Sequence, residues 1–170
     1  DFNKAKRIYS KILKQENVPS YMAVSAAKNY ISLNSMKKAK EILFDIFQKE
    51  PANTEVQYHL AQVLMWEKDF DNARQLLETT YTICPNAEVA NMLAKVYMEL
   101  KLYDKAYNLY KVASVAASGS ITLMLAMADC KCRQKDFSTA LQHLKPVLEI
   151  FPEHEEAQEI LERITNRRKT

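Results

Sequence analysis

A five-residue phrase returns along this chain at a nearly fixed distance. "DFNKA" opens at Asp1, "SMKKA" at Ser35, "DFDNA" at Asp69, "LYDKA" at Leu102 and "DFSTA" at Asp136, so the steps are 34, 34, 33 and 34 residues. A period of that size specifies a repeat array in place of a single globular core. Each unit is too small to bury both of its apolar faces, so it has to lean on the next one.

Composition then says what the unit is made of. Gly119 is the only glycine among 170 residues, and there are five prolines. Helices joined by short turns are expected, with almost no backbone at positive φ. A phosphate cradle or dinucleotide fingerprint needs at least two neighbouring glycines, so most nucleotide-dependent enzymes are excluded. Net charge is +3, with a basic first part and an acidic middle: residues 1–50 carry ten Lys or Arg against five Asp or Glu, and residues 51–100 three against seven. Solvated helix faces account for this, and bulk nucleic-acid binding is not indicated.

Cys84, Cys130 and Cys132 are an odd set with one i, i+2 pair, a poor disulfide framework on a helix. Free thiols are expected, and with them a reducing, cytoplasmic location. There is no 18-residue apolar run, hence no expected membrane insertion. The chain begins without Met, and we read it as a piece of a longer protein whose upstream segment could have carried a targeting signal.

Alignment on the repeated phrase gives two columns of alanine: Ala5, Ala39, Ala73, Ala106 and Ala140, and, twelve residues earlier, Ala27, Ala61, Ala94 and Ala128. A small residue held at one point on each of two consecutive helices marks where their axes come close. Phe2, Met36, Phe70, Tyr103 and Phe137 sit between the columns, placed to cover the turn. Tyr9, Leu43, Leu77, Tyr110 and Leu144 follow the second alanine by four residues, on its face of the helix. Pro51, Pro85 and Pro152 close three units.

These columns resemble the tetratricopeptide repeat, a 34-residue helix–turn–helix with small residues at its eighth and twentieth positions, a large one at the seventeenth and Pro at the thirty-second. The resemblance implies an all-α fold, a right-handed superhelical α-solenoid of antiparallel helix pairs. One array over residues 1–170 is expected: an orphan second helix at 1–15, full repeats at 20–53, 54–86, 87–120 and 121–154, and a closing helix at 154–168. In that closing helix Ala157, Ile160, Leu161 and Ile164 form the apolar stripe, with Glu155, Glu156, Glu159, Glu162 and Arg163 facing water.

The chain departs from the pattern at several points. Ala23, Gln57, Ala90 and Met124 stand where the family has an aromatic at its fourth position. Ser118-Gly119-Ser120 replaces the closing Pro of the third repeat and is expected to mark a change of stacking or a hinge. Pro146 is expected to kink the last second helix. Lys131, at a core position, is expected to snorkel to solvent.

Catalysis finds no foothold. "HEEAQ" at 154–158 ends in Gln158 where the zinc-protease pattern needs a second His, and Cys130, Cys132 and His143 do not converge on a tetrahedral ion. No enzyme activity, cofactor, metal or small-molecule substrate is expected.

The family's first helices line a concave groove through their second, fifth, sixth, ninth, twelfth and thirteenth positions. Carried onto this chain, the resemblance implies partner-binding residues Tyr21, Val24 and Lys28, then Glu55, Tyr58, His59, Gln62, Met65 and Trp66. Asn91, Met92 and Lys95 follow in the third repeat, and Leu125 and Asp129 in the fourth. Tyr58 and Trp66 are open to two readings, groove contact or packing between neighbouring helices; Lys28 and Lys95 read as solvated lysines, and His59 as a polar residue with no evident partner. The family's clamp for chaperone tails needs Lys, Asn and Arg where this chain has Val24, Lys28, His59, Glu88 and Met92, which does not fit.

The expected function is a non-catalytic protein–protein interaction scaffold that takes a peptide or helix of a partner protein in its groove, within a larger assembly. Two alternatives stay open. A related pentatricopeptide-like array would bind single-stranded RNA, which the 33–34-residue steps and acidic middle disfavour. The first helix, with Phe2, Ala5, Ile8, Tyr9 and Ile12 on one face, would permit homo-oligomerisation.

Overall fold

The computed structural model of the chain describes residues 18–167. The expectations for residues 1–15, the orphan helix and self-association through it, fall outside the described residues. The chain divides into two compact units, the first ending at Cys84 and the second beginning at Pro85.

The first unit contains α1 (Ser20–Ser32), α2 (Met36–Lys49), α3 (Thr54–Trp66) and α4 (Phe70–Ile83). Consecutive helices pack side by side, and α1 also touches α3. The second unit contains α5 (Ala87–Glu99), α6 (Tyr103–Ala116), α7 (Ile121–Arg133), α8 (Phe137–Ile150) and α9 (Glu155–Arg167). There α5 packs on α6, α6 on α7, α7 on α8, and α9 against both α7 and α8.

The eight described alanines of the two columns are fully buried. With only a methyl group at the crossing point, helix axes approach closely, and a larger side chain there has nowhere to go. Leu43, Leu77, Tyr110 and Leu144 are buried beside them, while Met36, Phe70, Tyr103 and Phe137 are half-buried at the helix starts. Helix entries are capped where the side chain allows it. Asn53 accepts from the Val56 N–H, Asp69 from Asn72, Asn86 from Val89, Ser120 from Leu123 and Asp136 from Thr139, each such cap contributing about 1 kcal/mol.

The helix exits overturn one expectation. Although glycine is nearly absent, Asn34, Lys68, Lys101 and Lys135 all adopt positive φ, between 55° and 65°. Each ends the first helix of a pair in the same way. The residue's own N–H reaches back three residues, and the next N–H reaches back five: Lys68 to Met65 and Asp69 to Leu64, Lys135 to Cys132 and Asp136 to Lys131. This is the Schellman arrangement, in which two orphan carbonyls are satisfied by one left-handed residue. The turn's hydrogen bonds outweigh the residue's own preference, which a glycine count cannot register.

The junction at Ser118-Gly119-Ser120 follows a helix exit of ordinary geometry. Gly119 takes φ +80°, but the helix before it ends on Ala117 at φ −122°, ψ 57°, close to the geometry of Glu50, Cys84 and Phe151. Helix α8 runs through Pro146 without interruption. Gln57, at the fourth position of its repeat, is buried and satisfied: its amide donates to the Pro51 carbonyl at 2.6 Å, and its oxygen lies 2.8 Å from the Thr80 hydroxyl. Gln158 repeats the first of these bonds, donating to the Pro152 carbonyl at 2.6 Å. In α9 the buried Ala157, Ile160 and Ile164 close the core formed by Leu125, Ala128, Leu144 and Val147.

Candidate protein-interaction faces

In the first unit, α3 buries Val56, Gln57, Leu60, Ala61, Val63 and Leu64. Its opposite side presents Glu55, Tyr58, His59, Gln62, Met65 and Trp66, spaced three, four and seven apart and therefore on one helical face. Trp66, the only tryptophan, is 57% exposed. Tyr58, His59, Gln62 and Met65 are half-buried along the same face. The rings of Tyr58 and His59 meet edge to face at 5.2 Å, and His59 Nδ1 lies 3.3 Å from Gln62 Oε1. His59 therefore has neighbours that the sequence did not reveal.

Helix α1 contributes Tyr21, 66% exposed, with Ser25 and Lys28. Lys28 Nζ bonds Glu55 Oε1 at 3.2 Å, joining the outer faces of α1 and α3 into one surface. Lys28 is thus paired, although both partners are about half exposed, and such a pair contributes little stability.

In the second unit α5 presents Asn91 and Met92, both half-buried, and an exposed Lys95. On α7, Asp129 is held between two guanidinium groups, Arg133 Nε at 2.8 Å and Arg163 Nη1 at 2.7 Å. The Asp129 carboxylate raises the pKa of Arg133 further. Arg163 of α9 is consequently tied to α7 instead of simply facing water, and the pairing of Asp129 with Arg133 and Arg163 was not anticipated from the sequence.

Two expected contact residues are withdrawn from the surface. Val24 is 2% exposed and Leu125 1%, so neither reaches a ligand. At about 100° per residue, both lie about 60° to one side of the outward stripe, on the edge that turns toward the neighbouring helix. Tyr58 and Asn91 occupy the same edge position but are larger or polar and keep part of their surface outside. Cys132, one turn beyond Asp129 on α7, is buried as well.

Lys131 corrects another expectation. Instead of reaching solvent, its ammonium lies 4.3 Å from the centre of the Tyr107 ring, bonds Gln134 Oε1 at 2.9 Å and stands 3.8 Å from Asp136 Oδ2. The Tyr107 hydroxyl meets His143 Nε2 at 3.1 Å. Burial first, and then the Lys131 charge, holds the His143 pKa below its ordinary value. The three cysteines form no disulfide; Cys130 and Cys132 are buried, and burial pushes the Cys130 thiol up to about 12. Cys130 Sγ rests 3.1 Å from Met98 Sδ, where a thiolate would be poorly solvated. Among the described residues no cluster of three His, Cys, Asp or Glu is placed to hold a metal ion, and no helix is long and apolar enough to cross a membrane.

Helix hairpins repeating every 33 or 34 residues, with alanine at each crossing, define an α-helical repeat protein. Residues 30–96 match the tetratricopeptide repeat family model, and the described helix pairs fit a repeat array of that type. Solved structures agree on the fold. A crystal structure of MamA superposes with a TM-score of 0.77 at 20% identity, over 98% of this chain and 92% of that one. MamA from Desulfovibrio magneticus RS-1 gives 0.79 at 17% identity, over 91% and 88%. The APC/C hetero-tetramer Cut9-Hcn1 gives 0.81 at 18% identity, over 96% of this chain but only 33% of that one.

Proposed function

We propose that this chain is a non-catalytic scaffold that binds segments of partner proteins on the outward faces of its first helices, α1 and α3 in one unit and α5 and α7 in the other. The observation that carries this is Trp66. A large indole left more than half exposed, on the same face of α3 as Tyr58 and Met65, is costly to leave in water and contributes strongly when a partner covers it. Half-buried aromatic and methionine side chains supply contact area with little further ordering, and the helices beneath them are already packed. The Cut9-Hcn1 structure, by its description an assembly of different chains, supports the same use of the fold. The array of repeats from residue 20 to 154, its place in a larger protein and its location in the cytoplasm belong to this proposal.

The test is retention of proteins from native extract by the immobilised chain and by a Trp66→Ala, Tyr58→Ala variant whose circular dichroism is unchanged. A partner held by the parent and lost by the variant supports the assignment, and its titration should shift the emission of the single tryptophan. Partners held equally by both chains refute it.

A further inference from the structure

A constant offset relates helices α2–α4 of the first unit to α6–α8 of the second. The alanine pairs Ala39 and Ala106, Ala61 and Ala128, and Ala73 and Ala140 are each 67 residues apart, as are Lys68 and Lys135 at their left-handed turns. The same place in the fold can therefore be read twice with different side chains.

In the second unit that place is filled from within. Lys131 lays its stem and ammonium on the Tyr107 ring, with Gln134 and the Asp136 carboxylate at its end and His143 beside the ring. Subtracting 67 gives the first unit: Leu64 for Lys131, Lys40 for Tyr107, Leu76 for His143, Glu67 for Gln134, and Asp69 again for Asp136. With the lysine gone, a cleft of about 450 Å³ opens between α2 and α4 above α3, walled by Phe44, Phe47, Leu64 and Leu76. Phe44 is 46% exposed, an unusual position for a phenylalanine on a helix whose other exposed residues are polar or charged. At the rim Lys40 pairs with Glu67, while Asp69 accepts only from Asn72 and has no cationic partner among the described residues. Two carboxylates thus face one ammonium, leaving the mouth one negative charge in excess.

We infer that this cleft is a docking site for a lysine or arginine side chain of a partner protein. The hydrocarbon stem lies along Phe44, Phe47 and Leu64, and the cation reaches Asp69, taking the role that Lys131 fills inside the second unit. A long apolar stem with a charged end is the side-chain type that suits an apolar cleft with a carboxylate at its mouth. This surface lies on the second-helix side, away from Trp66, and it does not depend on the assignment of the first-helix faces.

The probes are three acetylated, amidated pentapeptides, Ala-Ala-X-Ala-Ala, with X lysine, norleucine or glutamate. They are titrated into methyl-labelled protein and followed by NMR at Leu64 and Leu76. The lysine peptide should shift these signals saturably, about fivefold more tightly than norleucine, and glutamate should not bind. Asp69→Asn keeps the helix cap and should bring lysine down to the level of norleucine. Leu64→Lys supplies the internal plug and should abolish binding; should that variant not fold, Asp69→Asn decides alone. Equal affinity for lysine and norleucine, shifts absent from Leu64 and Leu76, or lysine binding unchanged in Asp69→Asn each overturn the inference. Trp66→Ala should leave lysine binding intact, so failure of this site and failure of the first-helix faces are read separately.

Discussion

Replacing Lys68, Lys101 or Lys135 by glycine should stabilise the protein, although each substitution deletes a side chain. All three residues sit at φ 61° to 65° and are exposed, so no buried contact is lost. A residue with a Cβ gives up about 1–2 kcal/mol in the left-handed region, and glycine gives back about 0.5–1 kcal/mol through its freer unfolded chain. The net expectation is a gain of about 0.5–1 kcal/mol per site. The turns are separate, so the triple variant should gain about 2 kcal/mol, or roughly 4–8 °C in Tm for a chain of this size. Guanidinium unfolding followed by circular dichroism measures it, read as a rise in midpoint at constant slope. Two controls isolate the cause. Lys→Ala at the same sites keeps the Cβ and should change stability little, and Asn34→Gly should gain less than the lysines because asparagine tolerates this conformation. A triple glycine variant no more stable than the parent, or an alanine variant that matches it, would refute the backbone argument.

Stability should also depend on pH through His143. Its pKa is lower folded than unfolded, so its contribution is complete above the ordinary value of 6.5 and is lost as pH falls through the folded value; His143→Gln should flatten the midpoint between pH 7 and pH 5. Thr80→Val removes the hydroxyl facing Gln57 Oε1 and leaves a buried acceptor unpaired, which should cost about 1–3 kcal/mol in the same unfolding assay. At pH 8, iodoacetamide followed by mass spectrometry should label Cys84 quickly and spare Cys130 and Cys132 until denaturant is added.

Much of the fold was legible because burial in a repeat is periodic. The alanine columns mark helix crossings, and every described member is fully buried; in the α9 stripe Ala157, Ile160 and Ile164 pack into the core, while Leu161 stays half-buried outside it. The outward face of α3 was legible for the same reason, since Glu55, His59, Gln62 and Trp66 recur at helical spacing. The edges of that face were not. Val24 and Leu125 lie where a helix meets its neighbour, and whether such a residue is covered depends on what the next helix brings.

The sequence by itself determined the period, the pairing of helices and the crossing points, because a methyl-sized side chain every 33 or 34 residues admits few other packings. Tertiary structure alone decided three further matters. Four residues other than glycine turn left-handed because Schellman bonds repay the strain, Lys131 lies on Tyr107 because α6 places that ring beneath it, and Arg163 joins Asp129 because α9 docks on α7. Spacing along one helix says which way a side chain points; what it meets there is set by a helix dozens of residues away.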